Sequence, residues 1–167
     1  ISSDNLAAQT LSNNFPGGRE NFIHTMNQNA HELNMHNTGF VEPTGLSPMN
    51  YSSVNDIVLL TQAVSQYNIV QNAAQSQKVI TDTIITSVNK KNKKTNVSKV
   101  QGNPTSRYFG KQGVITIKTG FTNAAGFCIT MLIYDHNKLY NITILGAKTS
   151  RERQRILEKS LNTIFNA

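Results

Sequence analysis

Two short groups of residues bring together the side-chain types that acyl transfer requires. One is Ser3-Asp4-Asn5, near the front of the chain. The other is Lys118-Thr119-Gly120, placed after the apolar stretch Gly113-Val114-Ile115-Thr116-Ile117 and before Phe121-Thr122-Asn123-Ala124-Ala125-Gly126. Acyl transfer through a serine needs a base close to the hydroxyl. A lysine is a base only if its pKa falls, which burial and a second nearby cation both promote. A glycine in a strand lets another backbone lie close against it. Each group also has a purely structural reading. Ser3, followed by Asp4, Asn5 and apolar residues, is ordinary helix N-capping. Lys118-Thr119-Gly120 is equally a strand ending in a turn. Asp4 reads as a solvated or helix-start charge rather than a catalytic acid.

The elements that must position these groups follow from periodicity. Asn5 to Leu11 reads as a short helix with Leu6, Ala7 and Leu11 on its buried side. Pro16-Gly17-Gly18 is a turn. Glu20 to Leu33 keeps helical spacing through Phe22, Ile23, Met26, Ala30 and Leu33. Asn34 to Asn50 is loop. Ser53 with Asp56 resembles a capping box, with Asp in place of Glu or Gln, and opens a helix carrying Val54, Ile57, Val58, Thr61 and Val64. Val79 to Val88 is rich in Ile, Val and Thr, as a strand would be. Residues 89 to 112 are polar and lysine-rich, a long loop or a hairpin. Three strands are expected at Gly113 to Lys118, Gly126 to Tyr134 and Tyr140 to Leu145, the last two joined as a hairpin by Asp135-His136-Asn137-Lys138. Ser150 caps a final helix with an Ile156, Leu157, Leu161, Ile164, Phe165 stripe. Helices, then antiparallel strands, then one helix argue an α+β fold. The whole chain, 1–167, reads as one domain: a helical region over residues 1–77, a basic region over 78–112, and strands with a final helix over 113–167.

A chain of 167 residues is long enough to bury a core. It has no apolar run of membrane-spanning length. It starts with Ile and carries no leader, so its front is expected to be processed or truncated. The net charge is +7. No Asp or Glu lies between Thr83 and Tyr134, while Lys90, Lys91, Lys93, Lys94, Lys99, Arg107, Lys111 and Lys118 do. Arg151, Arg153 and Arg155 open the last helix. Attraction to a polyanion and a solvated lysine loop both fit this pattern, and the solvated loop is preferred. No aromatic residues interleave the lysines of residues 90 to 99 as base-stacking platforms would, so no nucleic acid is expected. The spacing of His24, His31, His36 and His136 completes no zinc pattern. Cys128, the single cysteine, lies between Phe127 and Ile129 and reads as a buried, inert thiol.

Ser-x-Asn and Lys-Thr-Gly are two of the three sequence marks of the active-site serine penicillin-recognising enzymes. More of the chain follows the same order: Leu6-Ala7-Ala8, Pro16-Gly17-Gly18, Met26-Asn27, Phe40-Val41-Glu42-Pro43-Thr44-Gly45-Leu46-Ser47, then Asn50, Ser52 and Asp56, and Phe121 through Cys128. The sequence resembles the low-molecular-mass penicillin-binding proteins, above all their D-alanyl-D-alanine endopeptidase type, with the carboxypeptidases as near relatives. The third mark, Ser-x-x-Lys, carries the nucleophile, and no Ser stands three residues before a Lys in a plausible context.

The resemblance implies a β-lactamase/transpeptidase-like fold, an antiparallel sheet covered by helices, of which this chain is the C-terminal portion. It implies a serine DD-peptidase that cuts D-Ala-containing bonds of peptidoglycan through an acyl-enzyme. It places Ser3, Asn5 and Lys118 in the catalytic set. Lys118 supplies the second cation or holds the substrate carboxylate together with Thr119. Ser3 relays a proton to the leaving amine, and Asn5 orients the lysine and the substrate peptide. Gly120 admits substrate backbone, Phe121 offers its N–H to the oxyanion, and Thr122 adds a carboxylate contact. Glu42 is expected to be structural, with Pro43, Thr44 and Gly45 forming a loop beneath the site. The implied partners are the peptidoglycan peptide, β-lactams as inhibitors, and a segment or second chain bearing Ser-x-x-Lys; no metal or organic cofactor is implied. The setting is the periplasm or cell envelope, where the glycosylation-like triplets at Asn50, Asn96 and Asn141 mean nothing. Without the absent piece, a sheet edge and an apolar helix face are expected to stand uncovered, leaving the chain unstable alone. The rival is an inactive wall-binding or structural module of the same fold, with a phage virion as one setting for it.

Overall fold

The computed structural model describes residues 2–76, 79–89, 92–102 and 105–166. Four helices come first: α1 (Asn5–Asn13), α2 (Gly18–Glu32), α3 (Val54–Val64) and α4 (Asn68–Gln75). A hairpin of β1 (Val79–Asn89) and β2 (Asn92–Gly102) follows. Then β3 (Val114–Thr122), β4 (Gly126–Asp135) and β5 (Lys138–Ala147) form an antiparallel sheet in that order, closed by α5 (Ser150–Phe165).

The sheet is a core with a helix on each face. Met131 pairs with Ile142 and Ile129 with Ile144, and these residues pack with Leu157 and Leu161 of α5. Strand side chains alternate between faces, so Thr130 and its partner Thr143 point the other way, toward α3. There Thr61 Oγ1 donates to the Ile57 carbonyl at 2.6 Å and lies 2.9 Å from Thr130 Oγ1. Thr130 Oγ1 lies 2.8 Å from Thr143 Oγ1, which lies 2.8 Å from Asn141 Oδ1. This row of hydroxyls fastens the helical part to the sheet.

Several local expectations hold for stated reasons. Ser53 caps α3 by accepting from the Asp56 N–H. The β4–β5 hairpin turns on His136 and Asn137, both at positive φ, 44° and 61°, as a two-residue type I′ turn requires. The polar segment after Val88 takes its hairpin form: Lys93, Lys94 and Lys99 belong to β2, whereas Lys90 and Lys91 lie outside the described residues.

Other expectations are corrected. Leu6 and Leu11 of α1 are 71% and 69% exposed, because no described element covers that side of the helix; the residue α1 buries is Ser12. Ser3 does not cap α1. Asp4 does, through Oδ1, which accepts from the Leu6 and Ala7 N–H groups at 2.8 and 3.2 Å. Thr149 rather than Ser150 caps α5. The strand begun at Val114 does not stop at Lys118 but runs on to Thr122. Helix α4 was not expected, although Ile69, Val70, Ala73 and Ala74 keep helical spacing within it.

Candidate active site

Strand β3 is an edge of the sheet: among the described residues it pairs with β4 only. Beside it lies an open cavity of about 620 Å³. All seven residues expected at the site line it: Ser3, Asn5, Lys118, Thr119, Gly120, Phe121 and Thr122. Two of them, 115 positions apart in sequence, are in direct contact. Lys118 Nζ donates to Ser3 Oγ at 2.8 Å and also to the Thr119 carbonyl.

The backbone explains how Ser3 reaches that contact. With Asp4 as the cap, Ser3 lies one residue outside the helix, at a φ of +54°. A left-handed conformation is uncommon for a residue with a Cβ and marks a position held by its surroundings. Asn5 is the first residue of α1, so the helix start carries it to the cavity.

Burial in the cavity wall pushes the Lys118 pKa below that of an ordinary lysine, although the side chain still meets solvent through the open mouth. Among the described residues no carboxylate is within ion-pair distance of it. The lysine is therefore a partly desolvated cation whose hydrogen-bond partners are neutral oxygens, and such a group is available to a ligand carboxylate.

The neighbours are organised in detail. Thr119 is buried and its Oγ1 donates to Thr105 Oγ1 at 2.6 Å, a partner that carries no mark in the sequence. Gly120 faces open space: an added Cβ would meet nothing within 4 Å. Phe121 is half exposed and stacks on Phe127 with ring centroids 4.2 Å apart. Thr122 Oγ1 accepts from the Ala125 N–H at 3.0 Å, which leaves its own proton to donate.

The opposite wall was not expected. It is apolar, made by Met26, Phe40, Leu46, Ile57 and Leu60. Pro43, Thr44 and Gly45 line the cavity too, in a loop held together by the Glu42 hydrogen bonds. Cys128 is a second correction. It is only partly buried and lines the cavity, because it sits across from Gly120 in the β3–β4 register. A literal Ser-x-x-Lys does occur, at Ser87-Val88-Asn89-Lys90. Ser87 however lies in an extended strand opposite Lys94, not on a helix that would bring a lysine back one turn later.

The model of the D-alanyl-D-alanine carboxypeptidase family matches residues 1–149. The chain belongs to that family. A D-alanyl-D-alanine endopeptidase of Escherichia coli is 34% identical over 147 residues, covering 88% of this chain and 45% of that protein. Its counterpart in Pseudomonas aeruginosa is 35% identical over 148 residues, with the same two coverages, 88% and 45%. This chain thus spans less than half the length of these relatives. A penicillin-binding protein of Listeria monocytogenes, solved with cefotaxime bound, matches with a TM-score of 0.77 at 28% identity, over 98% of this chain and 62% of that one. A Streptomyces DD-transpeptidase matches with a TM-score of 0.82 at 21% identity, over 96% of this chain and 62% of that one, a likeness of fold alone. The fold is the C-terminal portion of the DD-transpeptidase architecture.

Proposed function

We propose that this chain is the carboxylate-binding and proton-handling part of a serine DD-peptidase that cuts D-Ala-containing cross-links of peptidoglycan in the periplasm or cell envelope. The single observation that carries this is the 2.8 Å contact between Lys118 Nζ and Ser3 Oγ, which unites the two sequence marks at one edge strand. A serine hydroxyl on a further segment or second chain attacks the D-Ala carbonyl carbon. The C–N bond breaks, the amine leaves with a proton passed through Ser3, and water later hydrolyses the ester. Lys118 holds the substrate carboxylate with the Thr122 hydroxyl and with that of Thr119 once its proton turns from Thr105 to the ligand, and its charge favours the neutral form of the catalytic lysine. Asn5 orients the peptide, and the Phe121 N–H faces the oxyanion. Support for a completing segment comes from the exposed Leu6 and Leu11, from the outer edge of β5, which has no partner among the described residues, and from the 45% coverage of the relatives.

The test is intact mass of the complete protein before and after incubation with a fluorescent penicillin. One penicilloyl adduct on a segment bearing Ser-x-x-Lys, with release of cross-linked fragments from peptidoglycan, is the expected result. A complete protein that gains no adduct would favour the inactive wall-binding module, in a cell wall or a phage virion.

A further inference from the structure

The cavity has two unlike walls. The β3 and α1 side offers a cation, hydroxyls and an amide. The loop and α3 side offers Phe40, Leu46, Ile57 and Leu60. A ligand that fills both has an anionic end and an apolar body. Leu46 lies on the apolar wall in a loop rather than on a helix, and at 56% exposed its side chain is open to a ligand entering the cavity.

What holds Leu46 in place is a carboxylate. Glu42 is buried. Its Oε2 accepts from the Thr44 N–H at 2.7 Å and from the Thr44 hydroxyl. Its Oε1 accepts from the Ser47 N–H at 3.2 Å and from Asn50 Nδ2 at 2.8 Å. A carboxylate has about four acceptor positions, so these four donors fill it, and Glu42 has none left for a ligand. The Thr44 hydroxyl in turn accepts from the Leu46 N–H at 3.3 Å. Asn50 Oδ1 closes the loop from behind by accepting from the Val41 and Glu42 N–H groups at 2.7 and 3.3 Å. Burial pushes the Glu42 carboxyl up, but the hydrogen bonds it accepts, those from Thr44 foremost, outweigh it and lower the pKa to about 2. No cation pairs with it among the described residues.

We propose that Leu46 is a specificity-determining contact for the apolar part of the ligand, and that Glu42 is the positioning residue that holds it there through Thr44. This rests on the serine-peptidase reading and names what its site selects. The saturated carboxylate rules Glu42 out as an acid or base, and its link to Leu46 gives its substitution a distinct signature.

The experiment uses the complete enzyme and two probes that share the β-lactam core: 6-aminopenicillanic acid, which has no acyl side chain, and benzylpenicillin, which adds a phenylacetyl group. Acylation is resolved into a binding constant and a chemical rate. Leu46→Ser should weaken benzylpenicillin binding about 10-fold, the scale of one lost apolar contact. It should leave the chemical rate and the smaller probe unchanged. Glu42→Gln, which puts a donor where an acceptor is needed, should show the same selective loss. The double variant should lose no more than the worse single one, because both act through one contact. If Glu42→Gln fails to fold, Thr44→Val removes the bridging hydroxyl alone and should reproduce the signature. Equal losses for both probes, no loss at all, or additive losses would overturn the inference while leaving the peptidase reading intact. A wild-type enzyme that acylates with neither probe overturns both.

Discussion

Replacing Gly120 by alanine separates folding from ligand binding at one atom. A Cβ there would meet nothing within 4 Å, and Gly120 is not among the residues with positive φ. The fold has no steric reason to resist it. Alanine at a compatible glycine position stabilises by about 0.4–1 kcal/mol, mainly by restricting the unfolded chain. For a chain of this size that is a rise of roughly 1–4 °C in Tm. The same empty space is where ligand backbone is proposed to lie. A methyl carbon sits about 1.5 Å from Cα and needs roughly 3.5–4 Å of clearance from the next carbon. An extended ligand held against the strand would be displaced by about 1 Å, which costs on the order of 100-fold in rate. The variant should therefore acylate about 100-fold more slowly, by stopped-flow fluorescence with a labelled penicillin, while scanning calorimetry shows Tm unchanged or raised. Undiminished acylation at that higher Tm would refute the claim that ligand backbone passes over Gly120. A lower Tm would refute the claim that the space is empty.

Lys118→Met should abolish detectable acylation yet raise Tm near neutral pH. The folded-state pKa is lowered from 10.5, so the folded chain disfavours this proton; the penalty is present at low pH and fades as pH rises through the unfolded value. The gain in Tm should accordingly shrink toward pH 10.5, and a constant gain would argue against desolvation. Glu42 carries the opposite sign. Its lowered pKa contributes stability above about 4.5 that is lost as pH falls toward about 2, worth about 1–3 kcal/mol, so urea midpoints of Glu42→Gln should fall less than those of the wild type across that window. Leu157→Ala, at a position 1% exposed under the sheet, should cost about 2–5 kcal/mol by chemical denaturation of the complete protein, with the acylation rate of the folded fraction unchanged.

Elements whose determinants are local were legible in the sequence. The Ser53 cap, the two-residue turn at His136-Asn137 and the Leu157–Leu161 stripe each need only their own few residues. The site was legible for another reason: Ser3 and Lys118 meet across 115 positions, yet each belongs to a triplet that resembles a known pattern. What stayed hidden depends on neighbours that no pattern names. Leu6 and Leu11 are apolar at helical spacing, and only the lack of a covering element among the described residues decides that they are exposed. Helix α4 is eight residues long with no side-chain cap, so no start signal marks its short stripe of Ile69, Val70, Ala73 and Ala74. Gly120 reads as a turn because glycine breaks strands, but here the strand continues and the glycine serves the open space beside it. The apolar wall at Leu46 came from a loop whose shape depends on how many donors reach Glu42.

The hydroxyl row between α3 and the sheet has a further consequence. Its three hydroxyls own three protons but face four contacts: the Ile57 carbonyl, Thr61 with Thr130, Thr130 with Thr143, and Thr143 with Asn141. One contact must lack a proton, while Asn141 Nδ2 is buried without an acceptor among the described residues. Turning the Asn141 amide over supplies the missing proton, because Nδ2 then donates to Thr143 and every hydroxyl passes its proton one step toward the Ile57 carbonyl, while Oδ1 takes the buried position. The row thereby gains a polarity, running one way from β5 to α3. Bonds that all point one way polarise one another, and they join the strands and the helix that form two sides of the cavity. The two sides of the cleft are thus joined by a directed line of protons as well as by apolar packing.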